Sequence, residues 1–184
     1  MTLHSFSKSL AESHEFEDAE WWGQVYREAF YGLAAMVSTR DDGWAQRAGI
    51  DRVITLRSGR TFYVDEKVRK KDWPDVILER WSDRERRSPG WIQKPLAIDY
   101  MAYAYVPSRT CLLFPFELLQ RSWRLNGRMW VDQAEKKAGG YSVILAENSE
   151  NGRDWTTESI GVPREDLFSA MRGAMVVRWS DAAA

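Results

Sequence analysis

At 184 residues, 44% of them hydrophobic and 13% aromatic, the chain carries enough apolar material for a sizeable core and is not a disordered polymer. Its single cysteine, Cys111, excludes a disulfide within the chain and a cysteine-based zinc site, and the apolar run Thr110-Cys111-Leu112-Leu113-Phe114 makes it a small buried hydrophobe. A formal net charge of -1 hides local asymmetry: Arg84-Glu85-Arg86-Arg87 and residues 67–71 are basic, residues 12–20 and 154–166 acidic, so nucleic-acid binding is allowed without being announced.

No apolar run reaches bilayer length, and Met1-Thr2-Leu3-His4-Ser5 lacks the layout of a signal peptide, so the expected location is cytoplasmic, without membrane contact. Residues 1–16 read as a loose lead-in, with residues 17–181 forming one α/β or α+β domain. Residues 18–37 predict the first long helix, because Trp22, Tyr26, Ala29, Leu33 and Met36 recur at helical spacing. Glu28 has Gln24 and Gly32 four residues away and Val25 and Tyr31 three away, so it lacks a basic helical partner. The plain reading places it at the edge of a solvated face.

Two runs rich in Val, Ile, Thr, Phe and Tyr, over residues 51–56 and 61–69, flank Arg57-Ser58-Gly59-Arg60 and predict a β-hairpin. Pro74 then breaks the pattern, and residues 76–81 are expected to add a third strand to a meander. A charged loop over residues 82–90, strands over 98–106 and 110–114, and a helix opened by Pro115 with Phe116, Leu119 and Trp123 inward complete the middle of the chain. A strand over residues 141–146, a loop over 148–154 and a short helix from Pro163 to Met171 follow. The expected architecture is a central mixed sheet with a meander core, flanked by helices.

The hairpin carries the chemistry. Asp51 opens its first strand, and Asp65 and Lys67 leave one face of the second. Two carboxylates converging on one point repel each other unless a cation lies between them, and hard oxygen donors suit Mg²⁺ or Mn²⁺. A lysine beside such an ion can hold or deprotonate a water, which suits phosphodiester hydrolysis. The competing reading is a solvated strand face with a surface ion pair. Against it, Glu66 falls on the otherwise apolar face of Phe62, Val64 and Val68, so both faces turn polar at one level. Gln46 and Glu79 are candidates to border the metal site from neighbouring strands, although the first also reads as a loop residue and the second as a partner for Arg80 or Lys67. His4 and His14 have no spaced partners, and no phosphate loop or nucleophile elbow is present. Trp73, Trp81 and Trp91 lie in or beside basic loops, where indoles can stack on bases.

An isolated acid, a hairpin and then Asp-Glu-Lys, preceded by a helix, resembles the PD-(D/E)XK nuclease superfamily, over residues 18–123. That resemblance implies a restriction-endonuclease-like fold and a Mg²⁺- or Mn²⁺-dependent deoxyribonuclease. Asp51 matches the lone metal-binding acid, Asp65 the (D/E) position and Lys67 the catalytic lysine. Glu66 takes the variable position, whose main-chain carbonyl joins the metal shell, and Glu28 matches the helix glutamate that many members add. Ile50 stands where the motif has proline. DNA is the implied partner, ahead of RNA, and a homodimer is compatible. The alternatives are a catalytically degenerate nuclease-like fold that binds nucleic acid or protein, and a structural domain whose aromatic strand over residues 100–105 meets a partner.

Overall fold

The computed structural model describes residues 16, 19–39, 41–150 and 152–180, so the lead-in up to residue 15, with His4 and His14, lies outside the described residues. The chain is mixed α and β, and it divides into two compact units. One comprises the described residues of Glu15–Asp72, Leu96–Glu117 and Gly173–Ala184; the other comprises those of Trp73–Pro95 and Leu118–Arg172. No helix among the described residues is long and apolar enough to cross a membrane.

The first unit opens with helix α1 (Trp21–Ala29), which is shorter than its spacing predicts. Phe30 is extended, Gly32 takes a left-handed φ of 75°, and Leu33–Ser38 becomes strand β1. The reason is tertiary: Ala35, Met36 and Val37 pair with Thr55, Ile54 and Val53 of strand β2 (Arg52–Leu56), and that ladder overrides the helical period. The short helix α2 (Gly43–Arg47), which holds Gln46, lies between them. Strand β2 turns into β3 (Thr61–Arg69) at the expected place, with Gly59 at a φ of 84° in the hairpin turn.

The other edge of β3 is taken in parallel by β6 (Tyr100–Tyr105). Asp99 fixes the start of this pairing, because its carboxylate accepts the Tyr63 N–H at 2.8 Å while its own N–H donates to the Tyr63 carbonyl at 2.8 Å. Antiparallel β7 (Thr110–Pro115) and then β10 (Met175–Arg178) complete a six-stranded sheet in the order β1-β2-β3-β6-β7-β10. One face of this sheet forms the core with Trp22, Val25, Tyr26 and Phe30 of α1, packed on Ile54, Val64, Ala102, Ala104, Cys111 and Leu113. The cysteine is buried as its apolar run predicts.

Strand β4 (Asp75–Asp83) is not the third strand of the meander. It belongs to a four-stranded sheet in the second unit, ordered β5-β4-β9-β8, with β5 at Ser88–Pro89, β8 at Ser142–Glu150 and β9 at Arg153–Pro163. Only one of the partners of β4, the two-residue β5, is close in sequence, so local pattern does not reveal the sheet. The expected loop over residues 148–154 is mostly the ends of a long antiparallel hairpin, β8–β9. Helix α3 (Phe116–Glu135) starts directly after Pro115 and buries Leu119, Trp123, Trp130 and Ala134 at helical spacing. Helix α4 (Arg164–Met171) follows Pro163, with Glu165 and Asp166 in the first turn, where the helix dipole favours acids.

Leu113 of β7 is fully buried in the core of the first unit, whereas Leu125 of α3 is 72% exposed. Leu113→Ala is expected to destabilise the chain by about 2–5 kcal/mol. Leu125→Ala is expected to stay within about 0.5 kcal/mol of the parent. Urea unfolding followed by circular dichroism checks the contrast.

Candidate functional site

Asp51 is set by the corner that precedes β2. Gly49 turns the chain at a φ of 77°, Ile50 is buried and its N–H donates to the Ala45 carbonyl at 2.9 Å, and Thr39 Oγ1 donates to the Ile50 carbonyl at 2.6 Å. The main chain of Asp51 is held on both sides: its N–H donates to the Val64 carbonyl at 2.9 Å, and its carbonyl accepts the Thr39 N–H at 3.1 Å. The Arg52–Val64 pair ends the regular ladder, and the Asp51 carboxyl meets that of Asp65 just beyond it. The Asp51 carboxylate accepts the Glu66 N–H at 2.7 Å, which fixes its direction.

Asp65 is 3% exposed, and Lys67 Nζ donates to its Oδ1. Burial, then the charge of Asp51 and a hydrogen bond with that carboxyl, push the Asp65 acid up from 3.8 to about 7, against the opposing pull of Lys67. The two acids therefore meet, and Lys67, with a side chain 37% exposed, pairs with one of them. Tyr63 leaves the same face two residues before Asp65 and is also partly exposed. Arg69 Nη1, two residues after Lys67, donates to Tyr103 Oη at 3.3 Å.

Glu66 leaves the other face, into the core. There its carboxylate accepts two bonds from Arg52, at 2.9 and 3.1 Å, and one from Tyr26 Oη at 2.6 Å. Burial pushes the Glu66 acid up while Arg52 and Tyr26 hold it down; the Tyr26 phenol is pushed up by burial and by the charge of Glu66. The second polar face is thus an internal ion pair, and the Glu66 side chain is committed to it. The sequence offered a signal for its partner, since Arg52 and Glu66 share the apolar face of the hairpin; Tyr26 was hidden in a helical stripe.

Glu28 is exposed, and α1 covers the Glu66 face through Trp22, Val25 and Tyr26, so the structure does not bring Glu28 to Asp51 and Asp65. Glu79 takes a main-chain partner, the Trp91 N–H at 3.1 Å, while the Arg80 guanidinium goes to Glu158. Among the described residues, no group of three or more His, Cys, Asp or Glu side chains gathers as a metal-binding cluster. The donor set in hand is two carboxylates.

A carboxyl raised by folding contributes stability that is complete below about pH 4 and is lost as pH rises through about 7. In EDTA, thermal unfolding is expected at lower temperature at pH 8 than at pH 5, and Asp65→Asn is expected to flatten that slope. A scanning-fluorimetry series over pH decides it; a slope identical in the variant removes Asp65 as the cause. No family model, curated protein or solved structure matches this chain, and the residues brought together on β2 and β3 carry the functional reading.

Proposed function

We propose that the protein is a metal-dependent nuclease that hydrolyses phosphodiester bonds in DNA, with a restriction-endonuclease-like core in the unit that holds Asp51, Asp65 and Lys67. The observation that carries this reading is the meeting of Asp51 and Asp65 across adjacent strands with Lys67 on one of them. A purely structural charge cluster has no need to hold two acids together on the half-open face of a sheet whose opposite face already contains a neutralised acid, Glu66.

The donors fit a hard divalent cation. Mg²⁺ sites of this kind commonly use one or two carboxylates and complete the shell with water and substrate phosphate. Asp51 and Asp65 would hold Mg²⁺ or Mn²⁺, with the Glu66 main-chain carbonyl as the third protein donor that the resemblance implies. When bound, such an ion supplies polarisation of a phosphoryl oxygen and neutralisation of developing charge.

The remaining roles fall to the chain itself. The Glu66 N–H keeps the Asp51 carboxylate turned toward Asp65. Asp65 keeps the Lys67 ammonium beside the acid pair, where it can orient a water or stabilise charge on a phosphate oxygen. Partial exposure of Lys67 lets a large polar substrate reach it. The exposed ring of Tyr63 gives a nucleotide an apolar surface on the same face. Glu28 has no role in this arrangement.

The test is incubation of the purified protein with single-stranded, double-stranded and branched DNA in Mg²⁺, Mn²⁺ or EDTA. Cleavage is expected with either ion and not in EDTA. Lys67→Ala is expected to lose roughly a hundredfold or more in rate while keeping DNA affinity. Asp51→Asn retains an acceptor for the Glu66 N–H but removes the charge, so calorimetry should show metal binding lost in a folded protein. A parent that binds DNA yet cleaves no form with any ion is instead the degenerate binding module.

A further inference from the structure

The second unit contains a groove of about 920 Å³ between α3, the end of β4 and the segment that follows β5. Its walls present Arg80, Trp81, Trp123, Arg124 and Arg128. Arg80 and Trp81 are consecutive in a strand and would ordinarily point to opposite faces. A β-bulge resolves this: Glu79 faces Ser159 and Trp81 faces Glu158, so Arg80 is the extra residue, and both side chains line one groove. The Arg80 guanidinium lies over the Trp81 ring, 5.2 Å from its centroid, and is steadied by Glu158 at 3.0 Å.

The framework is fixed by side-chain amides. Gln120 donates to the Ile92 and Lys94 carbonyls at 3.1 and 2.8 Å, and Gln93 donates to the Arg80 carbonyl. On the helix wall, a Cβ at Gly127 would fall 3.0 Å from the Trp123 indole, so the glycine lets that ring lie against the helix. Arg124 and Arg128 stand four residues apart, an arrangement of like charges that costs an isolated helix a few tenths of a kcal/mol. Among the described residues neither guanidinium has an ion-pair partner, and both face the groove. Asp132 and Glu135 line the groove further along the helix, so the cationic stretch is confined to its first half.

We propose that this groove binds a single-stranded polynucleotide, with successive phosphates on Arg124 and Arg128 and a base stacked on the Arg80–Trp81 pair. The two helix arginines are separated by a rise of about 6 Å, which adjacent phosphates of an unstacked strand can match. An indole topped by a guanidinium plane is a platform for any base, through stacking and cation–π attraction. A groove of this volume admits a short run of nucleotides. The inference stands on residues outside the Asp51–Asp65 pair and does not depend on cleavage.

Fluorescence anisotropy of the full chain in EDTA, with labelled oligothymidylate, oligouridylate and blunt duplex DNA, tests it. Binding of one or both single strands is expected. In the Arg124→Ala/Arg128→Ala double variant that affinity should fall roughly tenfold, with the slope of log affinity against log salt shallower by about 1.4. Trp81→Ala, confirmed as folded by circular dichroism, should weaken binding while leaving the salt slope unchanged. Three results would overturn the proposal: single-strand affinity unchanged in the double variant, an equal loss for duplex and single strand, or displacement by polyglutamate as effective as by the unlabelled oligonucleotide. Absence of cleavage by the parent protein bears on the nuclease reading alone.

Discussion

The register between β2 and β3 is the constraint on which the site depends. Asp51 reaches the Glu66 N–H, Asp65 faces Asp51, and Arg52 reaches the Glu66 carboxylate only with Arg52 opposite Val64. A slip of β2 by one residue would turn Asp51 away from Asp65 and Arg52 away from Glu66, splitting both pairs. The buried pair Arg52–Glu66, reinforced by Tyr26, makes the slipped alternatives expensive, since stranding one member of such a pair costs about 3–5 kcal/mol. An ion pair on the core side thus fixes the geometry of the acids on the other side.

The same arrangement explains why Asp65 is poorly settled as a carboxylate. Lys67 answers only part of the burial that Asp65 undergoes, and Asp51 adds to the cost of ionising it. The change from 3.8 to about 7 corresponds to on the order of 4 kcal/mol held against the carboxylate form. The fold therefore favours a protonated Asp65 toward neutrality, and under the proposed reading a cation would relieve the same cost. Structural ion networks elsewhere differ: Asp83, joined to Arg153 and Arg86, is held below the usual carboxylate range, chiefly by the Arg86 N–H.

Local chemistry was legible where neighbours in sequence are neighbours in space. Gly59 in a four-residue turn between β-rich runs was enough to place the hairpin, and period-two alternation put Asp65 and Lys67 on one face. The 18–37 stretch misled because Leu33 and Met36 continue a helical period, while the ladder to β2 that overrides it is visible only in three dimensions. Strand β4 misled for a related reason, since its long partner β9 lies some 80 positions away in the chain. Glu28 looked suitable because it lacked a basic partner, yet an exposed glutamate satisfied by water gives the same pattern. Arg52 and Glu66 on one apolar face were the sequence signal for the core ion pair, which occupies the Glu66 side chain and leaves its main-chain carbonyl unaddressed.

The six-stranded sheet draws on three separated stretches of chain, with everything from Trp73 to Pro95 and from Leu118 to Arg172 belonging to the other unit. Its last strand, β10, pairs with β7 across an intervening stretch that includes α3, β8, β9 and α4. A polypeptide emerging from the ribosome therefore has the acids and the lysine of the hairpin early but cannot close the sheet beside Cys111 and Leu113 until Met175–Arg178 is made. Pairings this distant in sequence raise contact order and slow folding. Until then β7 presents an open apolar edge of the kind that recruits other chains. The tempo of translation, and protection of that edge while it lasts, would govern how much folded protein a cell obtains.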